Sequence, residues 1–150
     1  MKRILALSLL LIAFNWVSAQ VKDPVSWTYT SKKINETTYE VSLTATLQRG
    51  WHLYSQTTPE GGPPPTNISF SKNPLLLLDG SVKEVGKLEE KFEPLFDVNV
   101  KQYSNSVVFV QQVKVKGRAK TSLSGSVQFM TCNNQECMPP TTKKFSVALK

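Results

Sequence analysis

Cysteine and histidine are nearly missing from this chain. Its 150 residues include two cysteines, Cys132 and Cys137, and one histidine, His52. Two thiols and one imidazole do not complete the four-ligand set of a structural zinc site. A lone histidine with no nucleophile–base constellation around it gives no support to hydrolytic chemistry. No cofactor is expected: any chemistry would fall to the cysteine pair. Runs of basic residues interleaved with aromatics are missing as well. The net charge of +7 comes from scattered lysines such as Lys32-Lys33, Lys114, Lys116, Lys120 and Lys143-Lys144. Nucleic acid is therefore not an expected partner, and solvated strand edges that resist edge-to-edge pairing explain such lysines better.

Long apolar runs are confined to the N-terminus. Lys2 and Arg3 open the chain, Ile4 to Phe14 are almost unbroken apolar, and Val17-Ser18-Ala19 supplies small residues. That is the pattern of a secretory signal with cleavage after Ala19. An uncleaved anchor is the alternative, but the run is shorter than the about 20 residues of a comfortable span. No cysteine follows it, so a lipoprotein anchor is not indicated. Residues 20–150 are then one exported domain without a membrane span, with a net charge lowered from +7 to +5 by the loss of Lys2 and Arg3. It is expected to be a monomer. Export also places the cysteines where disulfides form and persist.

Helical periodicity is lacking too, and a period of two takes its place. Val25, Trp27 and Tyr29 alternate with polar residues, as do Tyr39, Val41, Leu43, Ala45 and Leu47. Ile68 and Phe70, then Val107, Phe109, Val113 and Val115, repeat it. Leu123, Val127 and Phe129, then Phe145, Val147 and Leu149, close the chain. Alternate residues of a strand face opposite ways, so these sets mark buried faces of half-exposed strands. Asn35-Glu36 reads as a turn, Asp79-Gly80 as a hairpin between Leu78 and Val82, and Pro59 through Pro65 as a stiff loop. Val85–Phe96 shows charges and Pro94, which suggests a loop or one short turn. The whole reads as all-β, two antiparallel sheets packed face to face, with a closed barrel as the alternative. Trp27 and Trp51 fit core or sheet-face positions better than ligand platforms.

The cysteines stand in Phe129-Met130-Thr131-Cys132-Asn133-Asn134-Gln135-Glu136-Cys137-Met138-Pro139-Pro140. Four polar turn formers separate them, and Pro139-Pro140 stiffens the exit, so a hairpin with one cysteine on each arm is expected. Alternation from Phe129 turns Met130 and Cys132 away from the core and brings the sulfur near the surface. Two readings remain open. A structural clip closing about six residues contributes on the order of 2 kcal/mol in the chain-entropy model, against about 4.7 for a hundred. A redox pair would be attacked by a partner thiolate and re-formed by its own second thiol. Spacing alone does not choose between them.

Three segments together resemble the N-terminal periplasmic domain of the thiol:disulfide interchange protein DsbD. They are Thr131-Cys132 through Cys137-Met138-Pro139-Pro140, Gly50-Trp51-His52-Leu53-Tyr54-Ser55-Gln56, and Leu95-Phe96 through Tyr103 ahead of a strand at Val107–Val115. The resemblance implies an immunoglobulin-like sandwich. It implies a thiol:disulfide oxidoreductase that takes electrons from a thioredoxin-like donor domain or membrane electron carrier and passes them to periplasmic disulfide oxidoreductases. Carried over by position, Cys137 forms the intermolecular disulfide and Cys132 is its partner. Phe96 belongs to a cap loop over the sulfurs, with Phe92 as a further apolar lid residue, while Tyr54 and His52 line the site. Two departures stand out. The family pattern has one more residue between the cysteines. It also has acidic residues where this chain has Pro94 and Leu95, which puts their role in tuning the thiol in doubt here, with neighbouring Glu93 as the one candidate substitute. A non-catalytic binding module with a structural disulfide is the competing reading.

Overall fold

The computed structural model describes residues 23–117 and 119–150. The expected signal segment, residues 1–19, lies outside the described residues. Nine strands follow one another: β1 (Val25–Lys33), β2 (Thr38–Leu47), β3 (His52–Tyr54), β4 (Asn67–Phe70), β5 (Leu76–Glu93), β6 (Val98–Val115), β7 (Thr121–Phe129), β8 (Thr131–Cys132) and β9 (Thr141–Leu149). No helix occurs among the described residues. All pairings are antiparallel. One sheet has six strands in the order β1-β2-β6-β3-β8, with β5 along β6, and the other has three in the order β4-β7-β9.

The alternating apolar sets become the inner faces. Val41, Leu43, Ala45, Val107, Phe109 and Val113 of the larger sheet are fully buried, against Leu123, Val127, Phe129, Phe145, Val147 and Leu149 of the smaller. Aromatic rings bridge the two layers. Trp27 lies 5.9 Å from Phe109 in its own sheet and 5.2 Å from Phe129 opposite, and Tyr29 lies 5.3 Å from Phe145. The expected turn at Asn35 is present. Its Oδ1 accepts the N–H groups of Thr37 at 3.1 Å and Thr38 at 2.9 Å, the short-range capture that makes asparagine a turn residue.

Two expectations are corrected. Asp79-Gly80 is not a hairpin but a bulge inside β5. The ladder runs Asp79↔Gln112, then resumes at Lys83↔Val110. Gly80 takes φ 71°, which glycine tolerates without steric cost. The buried Gln111 fills the gap, its Nε2 donating to the carbonyls of Asp79 at 3.1 Å and Gly80 at 3.3 Å. Val85–Phe96 is not a loop either. It is strand as far as Glu93, and only the segment from Pro94 to Asp97 turns. The reason is that β5 pairs on one side only. With most of its side chains in water, a strand needs no apolar alternation, so the sequence carries no periodic sign of it.

Gly125 is a close-approach position. A Cβ there would stand 2.3 Å from the Ser69 carbonyl oxygen and 2.8 Å from the Phe145 ring. Both are fixed, one by the β4–β7 ladder and one by the core. Gly125→Ala is expected to cost about 1–3 kcal/mol, the usual range for overpacking, read as a lower urea midpoint at unchanged slope.

Candidate functional site

Strand β6 is long enough to serve two neighbours. Its second half pairs with β2, while its first half pairs with β3 through His52↔Ser104, Leu53↔Tyr103 and Tyr54↔Gln102. Strand β8 then adds to β3 with two rungs, His52↔Cys132 and Leu53↔Thr131. Directly opposed residues share a face. Leu53, Tyr103 and Thr131 thus point inward and are buried. Cys132, His52, Tyr54, Gln102 and Ser104 share the outer face, joined by Glu89, Lys91 and Glu93 from β5.

The outer face is not bare at this point. Tyr54, Val100 and Cys132 form a second apolar cluster, fully covered, with Val98, Met130 and Cys137 packed around it. Cys132 therefore does face away from the main core, but it is 0% exposed rather than near the surface. Alternation held, but exposure did not follow from it, because Tyr54 and Val100 cover the outer face where the chain, having left the three-stranded sheet at Phe129, joins the six-stranded one at Thr131. The two cysteines are bonded, with S–S 2.02 Å and Cα–Cα 4.0 Å. Cys137 is half-buried. The hairpin holding them is tied by groups other than sulfur. Asn133 N–H donates to the Glu136 carbonyl at 2.9 Å, and Met138 N–H to the Thr131 carbonyl at 2.8 Å. The N–H groups of Gln135 and Glu136 both donate to Asn133 Oδ1 at 2.8 Å.

Beside the disulfide lies a polar trio. His52 Nε2 is 3.2 Å from the Tyr54 hydroxyl, which donates to Glu93 Oε2 at 3.5 Å. His52 Nε2 is 3.9 Å from the same carboxylate oxygen. Burial pulls the His52 pKa below its usual 6.5, with Glu93 opposing the shift. Burial, reinforced by Glu93, pushes the Tyr54 phenol far above its ordinary range. Next to the trio opens a cleft of about 510 Å³, floored by His52, Gln102 and Ser104 and flanked by Glu93, Leu95 and Asn134.

The other expected site residues fall nearby. Phe96 is half-buried in the turn that follows β5, where its N–H donates to the Glu93 carbonyl at 3.1 Å. It stands outside the apolar cluster around Cys132. Phe92 is 57% exposed and borders the cleft. In the ladder it opposes Asn99, on the face away from Cys132. Val98, Val100 and Gln102 were not foreseen, since nothing in one strand announces which half of it will cover a cysteine from another. Glu84 was also missed. It accepts from Ser55 Oγ at 2.6 Å, Gln56 N–H at 2.7 Å and the Tyr103 hydroxyl at 2.8 Å, tying the chain after β3 to β5.

The described residues thus form a two-layer strand sandwich with one bonded cysteine pair at the sheet rim, Cys132 sealed and Cys137 half-buried, an arrangement that thiol–disulfide exchange domains can use. The family comparison agrees in kind: residues 20–149 match the family model "Thiol:disulfide interchange protein DsbD, N-terminal", and the chain belongs to that family. Among solved structures it is similar to the reduced DsbD N-terminal domain of Neisseria meningitidis, at 16% identity and TM-score 0.54, covering 80% of this chain and 83% of that one. It is also similar to the N-terminal periplasmic domain of ScsB from Proteus mirabilis, at 19% identity and TM-score 0.58, covering 90% of this chain and 49% of that one. A third is the complex between the DsbD N-terminal and PilB N-terminal domains of Neisseria meningitidis, at 13% identity and TM-score 0.54, covering 85% of this chain and 87% of that one. No curated protein sequence matches. The fold is thereby the immunoglobulin-like antiparallel sandwich the sequence led us to expect.

The buried His52 makes stability depend on pH in a definite direction. Its folded-state pKa lies below the unfolded value of about 6.5. The unfolded chain then binds more protons between the two values, so stability is full above about 6.5 and falls as pH drops through that window. Urea unfolding of the oxidised domain should show a midpoint that declines from pH 7 to pH 5. His52→Gln should flatten that decline; an unchanged slope would mean His52 is not the group responsible.

Proposed function

We propose that this domain is a thiol–disulfide electron relay of the periplasm. It takes electrons from a thioredoxin-like donor domain or a membrane electron carrier and hands them to oxidised periplasmic oxidoreductases. The observation that carries the reading is the asymmetry of the bonded pair, with Cys132 fully covered and Cys137 half-buried. An attacking thiolate needs a sulfur it can reach in line with the bond. Only Cys137 offers that, and Cys132 is then the leaving sulfur, held in the fold.

Each step balances in electrons. A donor thiolate bonds to Cys137 Sγ, the Cys132–Cys137 bond breaks, and the electron pair goes to Cys132. The donor's second thiolate attacks its own sulfur in the mixed disulfide, Cys137 leaves, and the domain holds two reduced cysteines. Delivery is the reverse with another protein: Cys137 attacks the acceptor's disulfide, and Cys132 then displaces the acceptor. The cysteines carry both electrons, so no cofactor is needed, and one copy of the chain suffices. Tyr54 and His52 stand beside this exchange, while Phe92 and Phe96, outside the cluster around Cys132, are apolar surface for a partner to cover. The PilB N-terminal domain seen in complex with a DsbD N-terminal domain is a precedent for such a partner, and the periplasmic ScsB domain for the compartment.

The complete covering of Cys132 also suits the competing reading, a binding module with a structural clip, and the reduction potential separates the two. A relay should lie in the thioredoxin-like range, about −270 to −120 mV, whereas structural clips fall below about −300 mV. Cys132→Ser should accumulate a mixed disulfide on non-reducing gels, formed when Cys137 attacks the disulfide of an oxidised thioredoxin-like partner. Cys137→Ser should not. A potential below about −300 mV together with no trapped complex would remove the relay from consideration.

A further inference from the structure

The relay leaves one step without an agent. Before Cys132 displaces an acceptor from Cys137 it must lose a proton, because the thiolate is the nucleophile. Apolar burial holds a thiol in its protonated form, and Cys132 is 0% exposed inside a cluster of Tyr54, Val100, Val98 and Met130. Bulk water is badly placed to take that proton, so a base within the fold is required.

The candidates are few. Strand β3 brings His52 and Tyr54 to this face, and β5 brings Glu89, Lys91 and Glu93. The β6 side chains here are Gln102 and Ser104, and the cysteine turn contributes Asn133 and Asn134 to the cleft, all without charge. Glu136 of that turn is exposed. Tyr54 keeps its proton at any physiological pH. Lys91 is exposed, its ammonium 3.0 Å from Glu89. Glu93 is engaged by the Tyr54 hydroxyl. His52 remains, and it is the residue directly opposite Cys132 in the β3–β8 ladder. Opposed residues in such a pair hold their Cβ atoms roughly 4.5–5.5 Å apart on one face. Its Nε2 is held by Tyr54 at 3.2 Å, and Tyr54 in turn by Glu93 at 3.5 Å. A base oriented by a second group and backed by a carboxylate is the arrangement that activates nucleophiles generally. Burial also keeps the ring neutral near pH 7, with a lone pair free to accept.

We propose that His52 is the base that deprotonates Cys132 when that sulfur expels an acceptor protein from Cys137. This deepens the relay reading and rests on it. The Cys132 S–H bond breaks and its proton goes to the imidazole; with Nε2 committed to Tyr54, it goes to Nδ1. Cys132 Sγ bonds to Cys137 Sγ, the bond from Cys137 to the acceptor breaks, and the acceptor sulfur leaves with the electron pair. The cysteine pair is oxidised by two electrons and the acceptor reduced by two. The imidazolium is stabilised by Glu93 at 3.9 Å and loses its proton to water in the cleft. On the reducing leg the neutral ring first takes a proton from water in the cleft at Nδ1 and passes it to Cys132 as that sulfur leaves.

The test follows the reduced domain with oxidised glutathione, separating adduct formation at Cys137 from its resolution by Cys132. At pH 7, His52→Gln should slow resolution by about 10²-fold, the lower end of general-base contributions. The gap should close as pH rises past the thiol's own ionisation, about 8.5 or above. Overlaid pH profiles for the two proteins would overturn the assignment. A second measurement needs no variant. His52 is the only histidine of the chain, so its ring signals in NMR can be titrated in the disulfide and dithiol forms. A shift in the midpoint between the forms is expected, and identical titrations would overturn the assignment even if the variant failed to fold. Cys132→Ser with oxidised glutathione tests the relay separately. If no adduct forms at Cys137, the relay falls and takes this role with it. If the adduct forms while His52→Gln resolves like the parent, only the base is wrong.

Discussion

Two rungs of ladder between β3 and β8 decide the character of this domain. The chain runs along the smaller sheet through Phe129, crosses, and joins the larger sheet at Thr131 and Cys132. Everything at the site follows from that transfer. It sets Cys132 opposite His52, turns its side chain onto the outer face, and seats it under Tyr54 and Val100. It leaves Cys137 on the returning arm, half-buried at the margin of the same cluster. Had β7 continued straight, Cys132 would have stayed in the three-stranded sheet, far from histidine and carboxylate alike. A disulfide between two neighbours on one hairpin is chemically symmetric. The sheet transfer breaks that symmetry by burying one sulfur and leaving the other within reach.

The edge strand β5 supplies the second half of the arrangement. An unpaired edge invites association with other chains, and proteins counter this with charge, bulges and twist. Strand β5 uses these devices: Lys83, Lys87 and Lys91 along its length, a bulge after Asp79 and another before Leu88. The same charged habit places Glu84 where Ser55, Gln56 and Tyr103 converge, and Glu93 where Tyr54 and His52 need an acceptor. Protection of the edge and construction of the site thus draw on one set of side chains.

The core was legible because burial on one face forces alternation, and the positions that alternate, from Val41 and Leu43 to Phe145 and Val147, are those that meet between the sheets. The Asn35 turn was legible because its signal is local. What escaped reading is what depends on neighbours distant in sequence. The bulge at Asp79-Gly80 has the same dipeptide chemistry as a hairpin, and only the partner strand decides between them. Most of β5 carried no periodic sign because it is wet on most of its surface. The grouping of the candidate residues was legible, but not its depth. Cys132, Cys137, His52 and Tyr54 do come together. The sealing of Cys132 comes from Val98 and Val100, whose role depends on a register that no single strand encodes.

The size of the disulfide loop bears on how such a pair can switch state without endangering the fold. Closing about six residues constrains the unfolded chain by only on the order of 2 kcal/mol. Opening the bond gives back little of the stability of the domain, whose core lies elsewhere, between Trp27, Phe109, Phe129 and their neighbours. The hairpin that presents the sulfurs is held by the Asn133 side chain and by the Met138-to-Thr131 hydrogen bond, neither of which involves sulfur. Pro139 and Pro140 fix the backbone leaving it. In the proposed relay, the geometry of attack at Cys137 is therefore set by backbone and turn chemistry rather than by the bond under attack, and the same frame would serve the pair bonded or open. A long-range staple would lack this property, since its cleavage would release the strands that it joins. The short spacing that makes this disulfide a weak clip is thus the spacing that the proposed exchange calls for.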